Sequence, residues 1–191
     1  LYSQLNRRAQ ELEQAGESQQ RIIDLLQPQF NTLMSQRLQE APDDNVVAWM
    51  RASIEQTAQI QKVSGDACFR YQFPGVKGGI DVTQYLTPEQ MQYRFEVDAR
   101  MMRAARGAGR HKVSEQEREQ AHAALEPVVK HMQKLYGQDI ALMAAPQQAQ
   151  GKETLVCDMV LALWRQVLAL PPEKAAAIIR LTLSMGATPS R

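Results

Sequence analysis

Strand-forming text is scarce in this sequence. Only 6% of its residues are Phe, Trp or Tyr, and sustained runs of β-branched and aromatic residues are absent, which disfavours sheet. Cysteine is scarcer still. There are two, Cys68 and Cys157, and so few residues so far apart match no zinc spacing. The three histidines, His111, His122 and His131, offer no better: His122 and His131 would be about 13 Å apart along a straight helix. No metal and no cofactor is expected. The segment Pro74-Gly75-Val76-Lys77-Gly78-Gly79 lacks the Walker pattern and its strand–loop–helix setting. A Gly-x-Ser-x-Gly element is also missing.

An excess of charge of one sign is missing as well. The formal net charge is +1, so no global electrostatic argument favours nucleic acid or a membrane surface, although local patches remain open. Long hydrophobic runs are lacking too. The most apolar stretch, Leu155 to Leu170, contains Asp158, Arg165 and Gln166. Each charge would cost about 2.5–3.5 kcal/mol in a bilayer, so the stretch reads as a core helix and no membrane span is expected.

What is present is helical text. The chain has 191 residues, 44% hydrophobic and 23% charged, an ordinary globular composition and enough chain to bury about 70% of its unfolded surface. Ala, Gln, Glu, Arg and Leu dominate. The abundance of Ala, Arg and Gln over Lys and Asn points to a GC-rich bacterial source. The chain opens at Leu1 rather than Met, so a start inside a longer gene product or after a cleavage is expected, and any anchor or address would lie there.

Leu5, Leu12, Gln19, Leu26 and Leu33 recur at heptad spacing, with Leu1 and Ile22 in companion positions. Arg8, Ala15, Gly16 and Pro28 dilute or interrupt the pattern. Residues 1–27 therefore read as one amphipathic helix, semi-independent of the rest, within a single helical domain 1–191. Pro28 predicts a break, followed by a helix from about Gln29 to Glu40 with Phe30, Leu33 and Met34 inward. A stripe of Val46, Val47, Met50, Ile54 and Ile60 predicts the next helix. Ser64 to Leu86 then reads as one long loop, rich in Gly and carrying Phe69, Tyr71 and Phe73 in an alternation that could form a strand without an evident partner. Thr87-Pro88-Glu89-Gln90 and Ser114-Glu115-Gln116-Glu117 read as capping boxes. Met91, Phe95 and Met102 form the inward stripe of the first of these helices. The stretch 153–170, apolar on nearly every side, reads as a central helix surrounded by others. The predicted fold is thus all-α: an irregular bundle of about six to eight helices around 153–170, with one long loop at 64–86.

Two groups of residues carry functional expectations. The first is the cysteine pair. A bridge between Cys68 and Cys157 would tie the 64–86 loop to the central helix, and would imply an oxidising compartment such as a bacterial periplasm. It requires the two Cα atoms to come within about 7 Å. The alternative is a pair of reduced thiols in a cytoplasmic protein. The second is basic: Arg100, Arg103, Arg106, Arg110 and Lys112 fall in one short segment. On a continuous helix the four arginines would share about a third of the circumference. Such a face could bind an anion, although no stacking aromatics follow it, and cations near a helix C-terminus need no ligand to account for them.

The sequence thus points to a non-enzymatic helical interaction domain with a protein partner, the extracytoplasmic part of a membrane-anchored bacterial protein. The alternative is a cytosolic helical protein that uses Arg100–Lys112 to bind nucleic acid or another anion.

Overall fold

The computed structural model describes residues 2–186. Every regular element among them is helical. The order is α1 (Tyr2–Gln14), α2 (Gln19–Glu40), α3 (Asp43–Val63), α4 (Gly65–Gln72), α5 (Pro74–Lys77), α6 (Pro88–Ala104), α7 (Glu115–Tyr136), α8 (Glu153–Leu168) and α9 (Pro172–Gly186). Short 3-10 turns lie at Val82–Gln84, Gly137–Met143 and Pro146–Gln148. The all-α bundle read from the sequence is the observed fold, and α5 is only a single turn.

The first chain reversal differs from the expected one. Helix α2 runs through Pro28, and the break falls at Gly16 instead. With φ at +81°, Gly16 takes a conformation open to glycine. The N–H groups of Gly16 and Glu17 then bond to the carbonyls of Glu13 and Leu12 at 3.0 and 3.1 Å, a Schellman closure of α1. A proline inside a helix costs about 3 kcal/mol; packing of α2 on α1, α6 and α9 outweighs that loss. Leu12 and Leu33 of the interrupted heptad are buried. Leu1 and the side chains of Leu5, Gln19 and Phe30 lie outside the described residues.

The 64–86 segment is the larger departure. It is not a structureless loop: Ser64 accepts from the Ala67 N–H at 3.1 Å and opens α4. Phe69 and Phe73, read as alternating strand positions, are neighbours one helical turn apart, with ring centroids separated by 5.2 Å. Tyr71 turns instead to α3, where its hydroxyl donates to Gln56 Oε1 at 3.1 Å. Beyond α5, Arg70 holds the carbonyls of Gly78 and Gly79 at 3.3 and 2.5 Å. The remainder closes on the 3-10 turn at Val82–Gln84, where the N–H groups of Tyr85 and Leu86 donate to the Val82 carbonyl at 3.1 and 3.0 Å.

Helix α8 packs against α3, α4, α7 and α9, whereas α6 packs on α3 and α2, and α2 on α1, α6 and α9, so the expected central position is shared with α3 and α9. Helix α8 is not covered all round. Thr154, Asp158, Arg165 and, just past its end, Ala169 form a solvent-facing stripe. The charges that argue against a membrane span lie on that stripe. The most completely covered stretch is in α9, where Ala175 through Leu181 are all buried.

That buried run includes a cation. Arg180 is 1% exposed. Its Nη2 pairs with Asp43 at 2.8 Å and donates to the Ala41 carbonyl at 2.6 Å. Its Nη1 reaches Glu117 at 3.1 Å, and its Nε donates to the Leu38 carbonyl at 3.3 Å. The last carbonyls of a helix have no partner within it, and Arg180 supplies donors at the end of α2. Glu117 also meets the His111 ring, Nε2 to Oε2, at 2.7 Å. Only half of the second capping box therefore forms: Ser114 accepts from the Glu117 N–H at 3.1 Å, but the Glu117 carboxylate is engaged by Arg180 and His111. The end of α2 and the starts of α3 and α7 meet on one guanidinium from α9.

Candidate functional site

Two places concentrate chemistry: the contact of α4 with α8, and the outward face of α6.

At the first, the two helix starts come together. A Cβ on Gly65 would lie 2.1 Å from Thr154 Oγ1 and 2.8 Å from its Cβ. Only a glycine permits this approach. One turn further along both helices, Cys68 and Cys157 form a disulfide, with Cα atoms 6.1 Å apart, within the distance the sequence argument requires. Both cysteines are fully buried. Phe69, next to Cys68, packs with Met132, Ala149, Val156 and Met159 in a small core of its own. Outside, Lys77 Nζ spans Asp66 at 2.8 Å and Glu153 at 2.9 Å. Those two hydrogen bonds raise the Lys77 ammonium above its ordinary pKa, and the bond from Lys77 lowers Glu153. Replacing Gly65 with Ala is expected to destabilise the protein by about 1–3 kcal/mol, the usual cost of overpacking, with Thr154→Ala recovering part of it. A urea titration reads both; an unchanged midpoint would contradict the close approach.

The outward face of α6 begins with an inversion. Thr87 and Gln90 form the capping box, at 3.3 and 2.9 Å, and the helix starts where expected. Its inward stripe, however, is Val97, Met101 and, past its end, Ala105, all buried. Phe95, expected inside with Met91 and Met102, is 66% exposed, while the two methionines are half-buried. The cause lies one residue away. Arg94 stacks over the Trp49 ring of α3 at 5.0 Å, pairs with Asp98 at 2.9 Å and contacts the Ser53 hydroxyl. A cation that finds a ring and a carboxylate can face its own protein. With Arg94 turned toward α3, Phe95, one residue or 100° further round the helix, is turned outward. Burial pushes the Asp98 carboxyl above its usual pKa, against the lowering pull of Arg94.

Phe95, Ala99 and Met102 share one side of α6 at helical spacing, and Met34 of α2 faces them. Together with Asp98, Arg103 and Arg106 they line a groove of about 630 Å³. Arg103 and Arg106 are exposed and have no ion-pair partner among the described residues. The basic segment does not continue as one helical face, because α6 ends at Ala104. Arg103 and Arg106 come to the groove. Arg110 pairs with Glu40 at 3.6 Å. Arg100 and Lys112 are exposed and line no part of it.

Comparison of the chain with protein-family models, with curated proteins and with solved structures finds no match. The groove and the disulfide therefore have to be read from their own chemistry. Phe95 as an outward residue was missed because an apolar residue between Met91 and Met102 reads as core; the Trp49–Arg94–Asp98 stack that displaces it spans two helices. Arg180 was missed because a lone arginine in apolar text looks like a solvated side chain. Among the described residues, no group of three or more His, Cys, Asp or Glu is placed to hold a metal ion. No described helix is long and apolar enough to cross a membrane.

Proposed function

We propose that this chain is a non-enzymatic interaction domain, the extracytoplasmic part of a membrane-anchored bacterial protein, and that it docks a protein partner through the α2–α6 groove. The observation that carries the docking surface is Phe95: a phenylalanine 66% exposed, beside an apolar groove that it shares with Met34, Ala99 and Met102. An exposed aromatic side chain with methionine and arginine beside it is the composition enriched at protein interfaces relative to the rest of the surface, here with Met102 half-buried and Met34 at the buried floor. The Cys68–Cys157 bridge supports the compartment, because structural disulfides persist in oxidising spaces and are rare in a reducing cytoplasm.

The competing reading, an anion bound across Arg100–Lys112, loses support from geometry. A phosphate-tracking face needs its cations side by side, and here Arg110 is engaged by Glu40.

Replacing Phe95 with Ala tests the proposal. A side chain this exposed contributes little to folding, so stability is expected to stay within about 0.5 kcal/mol of the parent. The complex recovered with the tagged protein from the source cells is expected to dissociate, because truncating a central aromatic at an interface costs 2 kcal/mol or more, on the order of 30-fold in affinity. Full retention of that complex by the folded variant would remove the groove from the interface.

A further inference from the structure

Resting on that reading of the groove, we infer that its occupant is an amphipathic helix of the partner protein, apolar on the face that meets Phe95, Ala99 and Met102 and acidic where it passes Arg103 and Arg106. The spacing carries the first half. Phe95, Ala99 and Met102 stand at i, i+4 and i+7 on α6, a seam of two turns that rises about 10 Å. That is the pattern one helix presents to another when ridges pack into grooves, and recognition of a helix in a groove uses the same anchors on the partner. Ala99 in the middle lets a second backbone come close, and the half-buried Met102 next along the seam can adjust to its side chains.

Phe95 argues for a helix over a slender apolar ligand. It is 66% exposed, so it projects as a knob more than it lines a cavity, and an acyl chain laid along it would leave much of the ring in water. The hole between four side chains of a facing helix can receive it.

Charge carries the second half. The one carboxylate in the groove, Asp98, is already paired with Arg94 at 2.9 Å. Arg103 and Arg106 have no such partner among the described residues, and both lie at the end of the groove away from Phe95. A guanidinium fork matches a carboxylate in two parallel hydrogen bonds, so Glu or Asp on the flank of the incoming helix would complete the contact and set its direction.

The test is fluorescence anisotropy with the intact disulfide-bonded chain. The probe is a labelled peptide of about 18 residues with leucines at i, i+3, i+4 and i+7 and glutamates on the flanks. A second peptide carries lysines in place of the glutamates. Tritiated palmitate and vesicles containing phosphatidylglycerol are the lipid arms. The glutamate peptide is expected to bind at least about ten-fold tighter than the lysine peptide, a difference worth 1.4 kcal/mol. Phe95→Ala should weaken it by on the order of 30-fold, and the double change Arg103→Glu with Arg106→Glu should reverse the preference between the peptides. Equal binding of both peptides, or binding indifferent to Phe95→Ala, overturns the inference. Palmitate or vesicles bound in a Phe95-dependent manner, with both peptides ignored, also overturns the helical occupant, while leaving the groove a docking surface. If no probe binds, the helix is overturned, and loss of the cellular complex in the Phe95→Ala variant decides the groove independently.

Discussion

Replacing Arg180 with methionine is expected to destabilise the protein by about 3 kcal/mol or more, although a long side chain of similar volume remains. Removing one partner of a buried ion pair typically costs 3–5 kcal/mol, because the other charge is left without compensation. The lower end applies here. Asp43 and Glu117 keep 34% and 18% of their side-chain surface in water, whereas Arg180 keeps 1%. The same change strands the Leu38 and Ala41 carbonyls at the end of α2, and each buried acceptor left unmade adds to the loss. Removing the two carboxylates together with the cation, as Arg180→Met with Asp43→Asn and Glu117→Gln, should recover part of the stability. Denaturant titrations of the parent, single and triple variants measure this. A single variant within about 0.5 kcal/mol of the parent, the range of an ordinary surface substitution, would mean the guanidinium does not hold these helix ends.

The disulfide has a comparable expected effect by a different route. Cys68 and Cys157 are separated by 89 positions. Closing a loop of that length restricts the unfolded chain by about 4.6 kcal/mol in the chain-entropy treatment. The double variant Cys68→Ala with Cys157→Ala, free of leftover thiols, should therefore melt on the order of 10 °C lower for a chain of this size. The location of the damage is a sharper expectation. Phe69 and the Lys77 ion pairs still fasten α4, but these contacts open more readily than a covalent link. Amide exchange should accelerate first in Gly65–Lys77 and only later in Glu115–Tyr136. Uniform acceleration across both segments would show that the bridge stabilises the bundle as a whole and does not specifically dock α4.

How much of this was legible depends on how local each signal is. Thr87 and Gln90 lie three residues apart and satisfy each other, so the start of α6 could be read from a few letters. The same holds for Ser114 and the start of α7. The cysteine pair was legible for another reason: two cysteines leave one possible bridge, and the text around Cys157 is plainly core. Helix α4 was hidden because Gly65 reads as a breaker, and its purpose, room for Thr154, lies about ninety positions away. Pro28 misled in the opposite sense, since the cost of a proline is local while the packing that overrides it is not. Phe95 and Arg180 share one explanation. Hydrophobic patterning assigns an apolar residue inward and a cation outward; Trp49 with Asp98, and Asp43 with Glu117, reverse that assignment by offering a cation better partners than water.

Docking of a partner in the α2–α6 groove can be read by placing a photo-crosslinking amino acid at position 95 in the source cells, with position 120 on the exposed side of α7 as the control. A defined crosslinked species is expected from position 95, shifted in mass by one partner and absent from position 120. Illumination that yields no adduct at position 95, or the same products from both positions, would contradict docking in the groove.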